Sequence, residues 1–277
     1  MTLKSTFALL FLGASTCLNA AAQKSFYDRL SVHNSDMAKL QPAMITPMIA
    51  PDPRLIQYYR ISVAHQYTTT GTETTNYGNA RGGGIIAFRR FEFDVMPSPY
   101  IQHNSTAADG FGDTSVLAKV RIASGNAENG NFAVAASLAH CFATGSHTNG
   151  GRTDSFTPTL AGDFTFRHVN FISGASGSLP TGKIAAQGRT IAWNEVVQWH
   201  ATPHVWFEVE NNAAFYFGGT HDGQVQNFAT PAAFYVLRRK SWAPTHPFFI
   251  FDSGMQIATS RFHNYNHNWI SEMRLLF

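Results

Sequence analysis

From Leu55 onward, large apolar and polar residues alternate with a period of two, in stretches broken by Gly, Asn, Thr and Pro clusters. That period belongs to a strand, whose successive side chains point to opposite faces. Eleven stretches stand out. LIQYYRISVAHQY, starting at Leu55, is followed by GIIAFRRFEFDV, TSVLAKVRIAS and NFAVAASLAHCF. SFTPTLAGDFTF and VNFISGASGSL then read as a hairpin around Arg167-His168. RTIAWNEVVQWHA, HVWFEVENNAAFYF, QVQNFATPAAFYVL, PFFIFDSGMQIAT and the C-terminal NWISEMRLLF complete the series. Between the first two, TTTGTETTNYGNARGGG reads as an exposed loop. Residues 24–53, punctuated by Pro42, Pro47, Pro51 and Pro53, read as an extension ahead of the main body. No helical period persists beyond a turn or two.

In each stretch one face is greasy and the other polar or ionic. Phe91, Phe93 and Val95 oppose Arg90, Glu92 and Asp94, while Val116, Val120 and Ile122 oppose Lys119 and Arg121. Val205, Phe207 and Val209 oppose Glu208 and Glu210, and Met273, Leu275 and Phe277 oppose Glu272 and Arg274. Alternation alone does not say which face is inside. A soluble sandwich hides the greasy face, whereas an outer-membrane barrel turns it to lipid and encloses the ions.

Strand length and composition choose between them. The stretches match the ~9–11 residues of a tilted membrane strand rather than the ~5–6 of ordinary sheets. Charged residues make up only 13% of the 277, about half the ~25% of typical soluble domains, so little is left to solvate a free surface. The sequence predicts an all-β fold: a closed antiparallel transmembrane β-barrel of about twelve strands. Closure follows because a strand edge left open in hydrocarbon has unsatisfied peptide groups. Single-chain bacterial barrels have even strand counts, so a twelfth strand is expected between Pro97 and Ser105 or within residues 24–53. Glu195 is an awkward member, since it shares the greasy face of Trp193, Val197 and Trp199. Asn211 and Ser271 are milder exceptions.

The amino terminus, MTLKSTFALLFLGASTCLNAAAQ, puts Lys4 before an apolar core from Phe7 to Leu12 and an exit of Ala20, Ala21 and Ala22. This is the order of a secretory signal peptide, residues 1–22, leaving an extension over 23–53 and the barrel over 54–277. Cleavage would leave Cys141 alone, which excludes an internal disulfide or a cysteine zinc cluster. A formal charge of +3 without basic runs gives no case for nucleic acid.

DGFGDTSVLAKVRIASG, from Asp109, resembles a motif of the outer-membrane barrel family labelled for meta-pathway phenol degradation. Gly110, Gly112, Asp113, Lys119 and Arg121 occupy its motif positions. LPTG at Leu179–Gly182 resembles that family's turn, and FATG at Phe142–Gly145 does so with Ala143 in place of proline. The final aromatic, with Trp269, Met273 and Leu275 on its face, resembles the signal read by the barrel-assembly machinery. The likeness implies transport of small solutes, hydrophobic or aromatic compounds among them. It carries over no catalytic residue.

Other chemistry is thin. His263 and His267 lie four apart, about 13 Å along a strand, too far for one metal. His200 and His204 straddle Pro203 at a turn, and no G-x-S-x-G elbow occurs. His33-x-Ser35 and His103-x-Ser105 lie outside clear strands, with no third orienting group for a serine nucleophile. Glu208 and Glu210 share a face about 6.6 Å apart, compatible with paired-carboxylate chemistry. Their better use is pairing with Arg90, Lys119, Arg121 and Arg274 inside the barrel, alongside Glu92 and Glu272. Trp193, Trp199, Trp206, Trp242 and Trp269, with Tyr58, Tyr59, Tyr216 and Tyr235, are candidate interfacial girdles. The expected role is a passive outer-membrane pore or transporter, with lipid and the assembly machinery as partners and no cofactor, metal or catalytic residue. A non-transporting structural or adhesive barrel and a secreted β-sandwich binding module are the alternatives, and an enzyme ranks behind both.

Overall fold

The computed structural model describes residues 33–79, 81–238 and 247–277. The leader, the first part of the extension and Trp242 lie outside these residues. Fifteen strand segments form one sheet. The first seven are β1 (Tyr58–Tyr67), β2 (Glu73–Tyr77), β3 (Gly82–Phe88), β4 (Phe91–Met96), β5 (Tyr100–His103), β6 (Gly110–Phe111) and β7 (Thr114–Gly125). Next come β8 (Phe132–Phe142), β9 (Ser155–Phe166), β10 (Val169–Pro180) and β11 (Arg189–His200). The series ends with β12 (Val205–Phe217), β13 (Val225–Leu237), β14 (Phe248–Ala258) and β15 (His267–Leu276). Segments β2 and β3 both pair with β1, β4 and β5 pair back onto them, and β6 and β7 onto those. Each of these three couples is one interrupted strand, so the barrel has twelve. All pairings are antiparallel.

The last strand closes the sheet. β15 pairs with β1 over ten positions, from Tyr58↔Leu276 to Tyr67↔His267, so no edge of the sheet is left free. The chain enters and leaves the barrel at the same end, called here the terminal end; the longer connections gather at the opposite, loop end.

The twelfth strand is β2–β3, which falls in the stretch read as an exposed loop. It is poor in large residues because of what its inner face meets. A Cβ on Gly84 would come 2.2 Å from Asp94 Oδ1 and 2.7 Å from the Tyr58 ring, so only glycine fits there. Consequently GIIAFRRFEFDV is two strands, not one: Phe88 pairs directly with Phe91 and Arg89-Arg90 is the turn. Arg90 is therefore exposed at the terminal end rather than inside the lumen. Residues 100–103 extend the strand begun by β4, and the described part of the extension supplies no strand at all.

The wall is greasy outside and polar inside. Outward-facing Phe93, Leu160, Phe171, Val209 and Tyr235 are exposed, whereas inward-facing Asp94, Asp163, Asn170, Gln198 and Asp252 are buried. Of the girdle candidates, Tyr59, Trp199 and Tyr235 face outward toward the terminal end, and Trp193 and Trp269 face outward nearer the loop end. Trp206 and Tyr58 instead turn inward and are buried. Trp269 and Met273 are exposed on the outer face of the closing strand, Leu275 follows them half-buried, and Phe277 lies one residue past the strand's end. Glu195 also faces outward, at the seventh of twelve positions of β11. Against hydrocarbon an ionised group at mid-depth costs up to about 2–4 kcal/mol, less for a carboxyl than for Lys or Arg.

Candidate functional site

The lumen divides into two halves of different chemistry. Inward residues near the terminal end are fully buried: Ala133, Ala135, Ala161, Asp163, Asn170, Ile172, Val196, Gln198, Glu208 and Glu210. Toward the loop end the same inward rows become half-exposed, at Ser137, Ala139, Thr157, Thr159, Ser176, Ser178, Thr190, Ala192, Asn212 and Ala214. The packed half is filled by the chain's own N-terminal segment. Along β8–β12 the open half is lined by small neutral side chains, and these rows carry no Asp, Glu, Lys or Arg there. Along β13–β15 the inward Phe228, Gln256 and Asn268 stay buried up to the loop end, where Tyr265 stacks on Phe228 and donates to Gln256 Oε1.

Among the described residues the N-terminal segment opens with helical residues 33–38 and runs on without regular structure to Gln57. Its prolines suit a segment that cannot join the sheet ladder, since they lack the N–H a ladder needs. Its remaining peptide groups must then find partners elsewhere when buried, and the inward charges supply them. Met48 N donates to Glu208 Oε1 at 3.1 Å, Ile49 N to Glu210 Oε1 at 2.9 Å and Ala50 N to Glu210 Oε2 at 2.9 Å. Arg274 donates to Thr46 O at 2.5 Å and Pro47 O at 3.1 Å. Lys119 Nζ reaches Arg54 O at 3.0 Å, and Ile56 N donates to Glu92 Oε2 at 2.6 Å. Arg121 Nη1 donates to Gln41 Oε1 at 3.1 Å, and its Nη2 to Arg89 O at 3.0 Å. The strap is thus held along its length by hydrogen bonds to charged groups, each of the stronger class, about 1.5–3 kcal/mol.

Ion pairs complete the packing. Lys119 meets Glu92 at 2.6 Å, and Arg274 lies against Glu272 and, at 3.3 Å, Asp252. From the strap, Arg54 pairs with Asp52 at 2.7 Å and lies 3.6 Å from Asp163 on the wall. Burial pushes the Asp52 carboxyl up, but the Arg54 guanidinium beside it outweighs this and holds it below the usual carboxylate range. Glu208 passes its load outward: Gln198 Nε2 donates to Glu208 Oε2 at 2.7 Å, and Asn170 Nδ2 to Gln198 Oε1 at 3.2 Å. Close fits fix the depth of the strap. A Cβ on Gly174 would lie 2.8 Å from Pro51 Cγ, and one on Gly254 3.0 Å from Met48 Sδ.

The structure brings together Glu92, Asp94, Lys119, Arg121, Glu208, Glu210, Glu272 and Arg274 around the strap; Arg90 is not among them. Glu208 and Glu210 pair with peptide amides rather than with the basic residues of the wall. Their oxygens are taken by the strap, Gln198 and Asn212, which leaves no room there for a sugar and water. Sequence reasoning missed Asp52, Arg54, Asp163 and Asp252. The last two were visible as charged inner members of their alternating stretches; the strap pair was not, because residues 24–53 show no period. His263 bonds to Ser260 O and Asn266, His267 stacks on Tyr67, and the two do not converge. Among the described residues no three metal-type side chains come together.

The motif residue Asp113 has a local task at the loop end. Its two carboxylate oxygens accept Gly145 N at 2.7 Å and Gly151 N at 2.5 Å, tying down the 143–154 connection. Gly110 makes room for Ser146 Oγ, which would lie 2.1 Å from a Cβ there. Replacing Asp113 by Ala removes both bonds and is expected to speed tryptic cleavage at exposed Arg152 at least tenfold, since even one such bond is worth about 1.5 kcal/mol. The barrel's heat-modifiable migration in gels should not change.

No protein-family model matches the chain, and no curated protein matches it. Solved structures do share its architecture. The crystal structure of an outer membrane channel from Pseudomonas putida F1 aligns with a TM-score of 0.58 at 11% identity, covering 84% of this chain and 100% of that one. A NanC porin structure gives 0.51 at 9% identity, covering 78% and 98%. At such identities the likeness establishes the barrel fold alone.

Proposed function

We propose that the chain is a passive outer-membrane channel for small uncharged solutes, closed at the terminal end by its own N-terminal strap. The observation that carries this is the division of the lumen. The ionic side chains cluster around the strap, while toward the loops the inner face of β8–β12 offers hydroxyls, amides and methyls at half-exposed positions. Such a lining hydrogen-bonds a neutral solute without a charge to trap or repel it. The greasy outer wall and the closed sheet suit hydrocarbon, and the two aligned channels lend the fold-level analogy. Hydrophobic and aromatic compounds belong among the neutral candidates, though Ser, Thr and Asn favour those that also carry a hydroxyl. The outward aromatic face of the closing strand suits recognition by the barrel-assembly machinery. The meta-pathway likeness adds no solute contact, because Asp113 anchors a loop and Lys119 and Arg121 hold the strap.

Liposome swelling tests this reading. Proteoliposomes should swell faster in an uncharged pentose than in a sugar acid or amino sugar of similar size. The strap itself favours a second reading, a permanently closed structural barrel. Rates equal to those of empty liposomes, in both the native chain and a Glu208→Ala/Glu210→Ala chain, would select that alternative.

A further inference from the structure

We propose that the barrel pairs with a second copy of itself in the membrane, through the outer face of β10, β11 and β12, with Glu195 of each copy meeting Asn211 of the other. Five outward residues lie in one register row across this face: Gly162, Ser173, Glu195, Asn211 and Ala229. The row sits at mid-depth, between the greasy rows of Phe171 and Val197 on one side and Leu160 and Trp193 on the other. Elsewhere the middle of the wall is apolar, as at Ile61, Phe93 and Leu138, or polar but satisfied within the wall, as at Ser253 and Ser271, where Ser253 Oγ donates to Ile270 O at 3.0 Å and lies 3.0 Å from Ser271 Oγ. A mid-depth row that holds a carboxyl and an amide with bonding capacity left over therefore calls for an explanation that concerns that place.

Acyl chains supply neither donors nor acceptors. Glu195 Oε1 takes one hydrogen bond, from Trp193 Nε1 at 3.2 Å, on its own strand. Asn211 Oδ1 accepts from Asn227 Nδ2 at 2.9 Å, and the Asn211 amide nitrogen donates to nothing among the described residues. An acceptor and a donor thus stand side by side on neighbouring strands, both turned to the membrane. A two-fold axis between them satisfies both at once, because each copy's carboxyl then accepts from the other's amide. Such self-complementarity is what an isologous contact requires, and a lone lipid or an unlike partner would not need it.

Shape agrees. Beside the row the surface is hollowed, because Gly162, Ser173, Ala175 and Gly177 are small. One hollow of about 370 Å³ lies between Leu160 and Ile191, and another of about 230 Å³ lies between Leu160 and Trp193. On the β10 side of the row these small residues let the wall of a second copy come close. Small residues serve close approach in membranes for this reason.

The inference rests on the membrane-embedded reading above, but the swelling assay reports on the pore whether or not copies pair. Cysteines are placed in a Cys141→Ser chain reconstituted in liposomes, at Ala213 beside the row and, as control, at Val63 on another strand. Oxidation should cross-link Ala213→Cys into dimers and leave Val63→Cys monomeric. Glu195→Leu should lower the cross-linked fraction at least tenfold while heat-modifiable migration persists, and Glu195→Gln should largely preserve it. Equal cross-linking at the two positions would overturn the proposal. So would a monomeric native chain at every protein-to-lipid ratio, or a Glu195→Leu dimer of undiminished yield.

Discussion

A chain with Glu208 and Glu210 both replaced by alanine should conduct. The two carboxylates accept three consecutive peptide N–H groups, from Met48, Ile49 and Ala50, at the deepest point of the strap. Each is a charge-assisted bond of about 1.5–3 kcal/mol, and together they shift the balance between strap-in and strap-out states by several kcal/mol. Every 1.4 kcal/mol is a factor of ten in that balance, so open probability in planar bilayers should rise at least tenfold. Glutamine at both positions keeps an acceptor without the charge and should fall between. Pinning gives the opposite result. Gly174 and Pro51 are close enough for a disulfide, so Pro51→Cys/Gly174→Cys in a Cys141→Ser chain should be silent when oxidised and should recover with reductant. Unchanged conductance in the double alanine chain, with the barrel intact, would mean that the strap does not gate the lumen.

The segment that matters most for this mechanism was the least legible in the sequence. Alternation marks a strand because burial is periodic along it, and it revealed the wall, its orientation and its closure. Residues 45–57 run through the inside of the barrel and meet wall residues on several sides rather than on one alternating face, so no period forms, and the charges that hold them were assigned to one another instead. The pairs Lys119–Glu92 and Arg274–Glu272 could be guessed as opposite charges on inner faces. That Glu208, Glu210 and Arg121 serve peptide groups of another segment could not, since main-chain partners leave no trace in residue identity. The missed strand has a related cause. At Gly84 the inner face is taken by Tyr58 and Asp94, and the glycines that make room for them look like a loop. The two-residue turn at Arg89-Arg90 preserves the alternation and hides the boundary, which is how Arg90 was placed in the lumen.

Arg274→Met should cost more stability than any other single change in the lumen. The side chain is 2% exposed and serves two carboxylates, two strap carbonyls and the face of Phe234 at once. Methionine roughly fills the volume but leaves Asp252 without its cation, and neither Asp252 oxygen receives a hydrogen bond among the described residues. Removing one member of a buried pair typically costs about 3–5 kcal/mol because an uncompensated charge stays behind. Glu272 is less exposed to the loss, with Arg60 at 3.8 Å. Lysine should rescue only in part, since a single ammonium cannot reproduce the guanidinium fork toward carboxylates and carbonyls together. The midpoint of urea unfolding in detergent micelles measures this. Adding Asp252→Asn and Glu272→Gln to Arg274→Met should restore much of the loss, because the damage lies in the stranded charges rather than in the missing bonds. A single variant within about 0.5 kcal/mol of the native chain would show that the lumen there is wet enough to screen its ions, and the packed lower half described above would have to be opened to water.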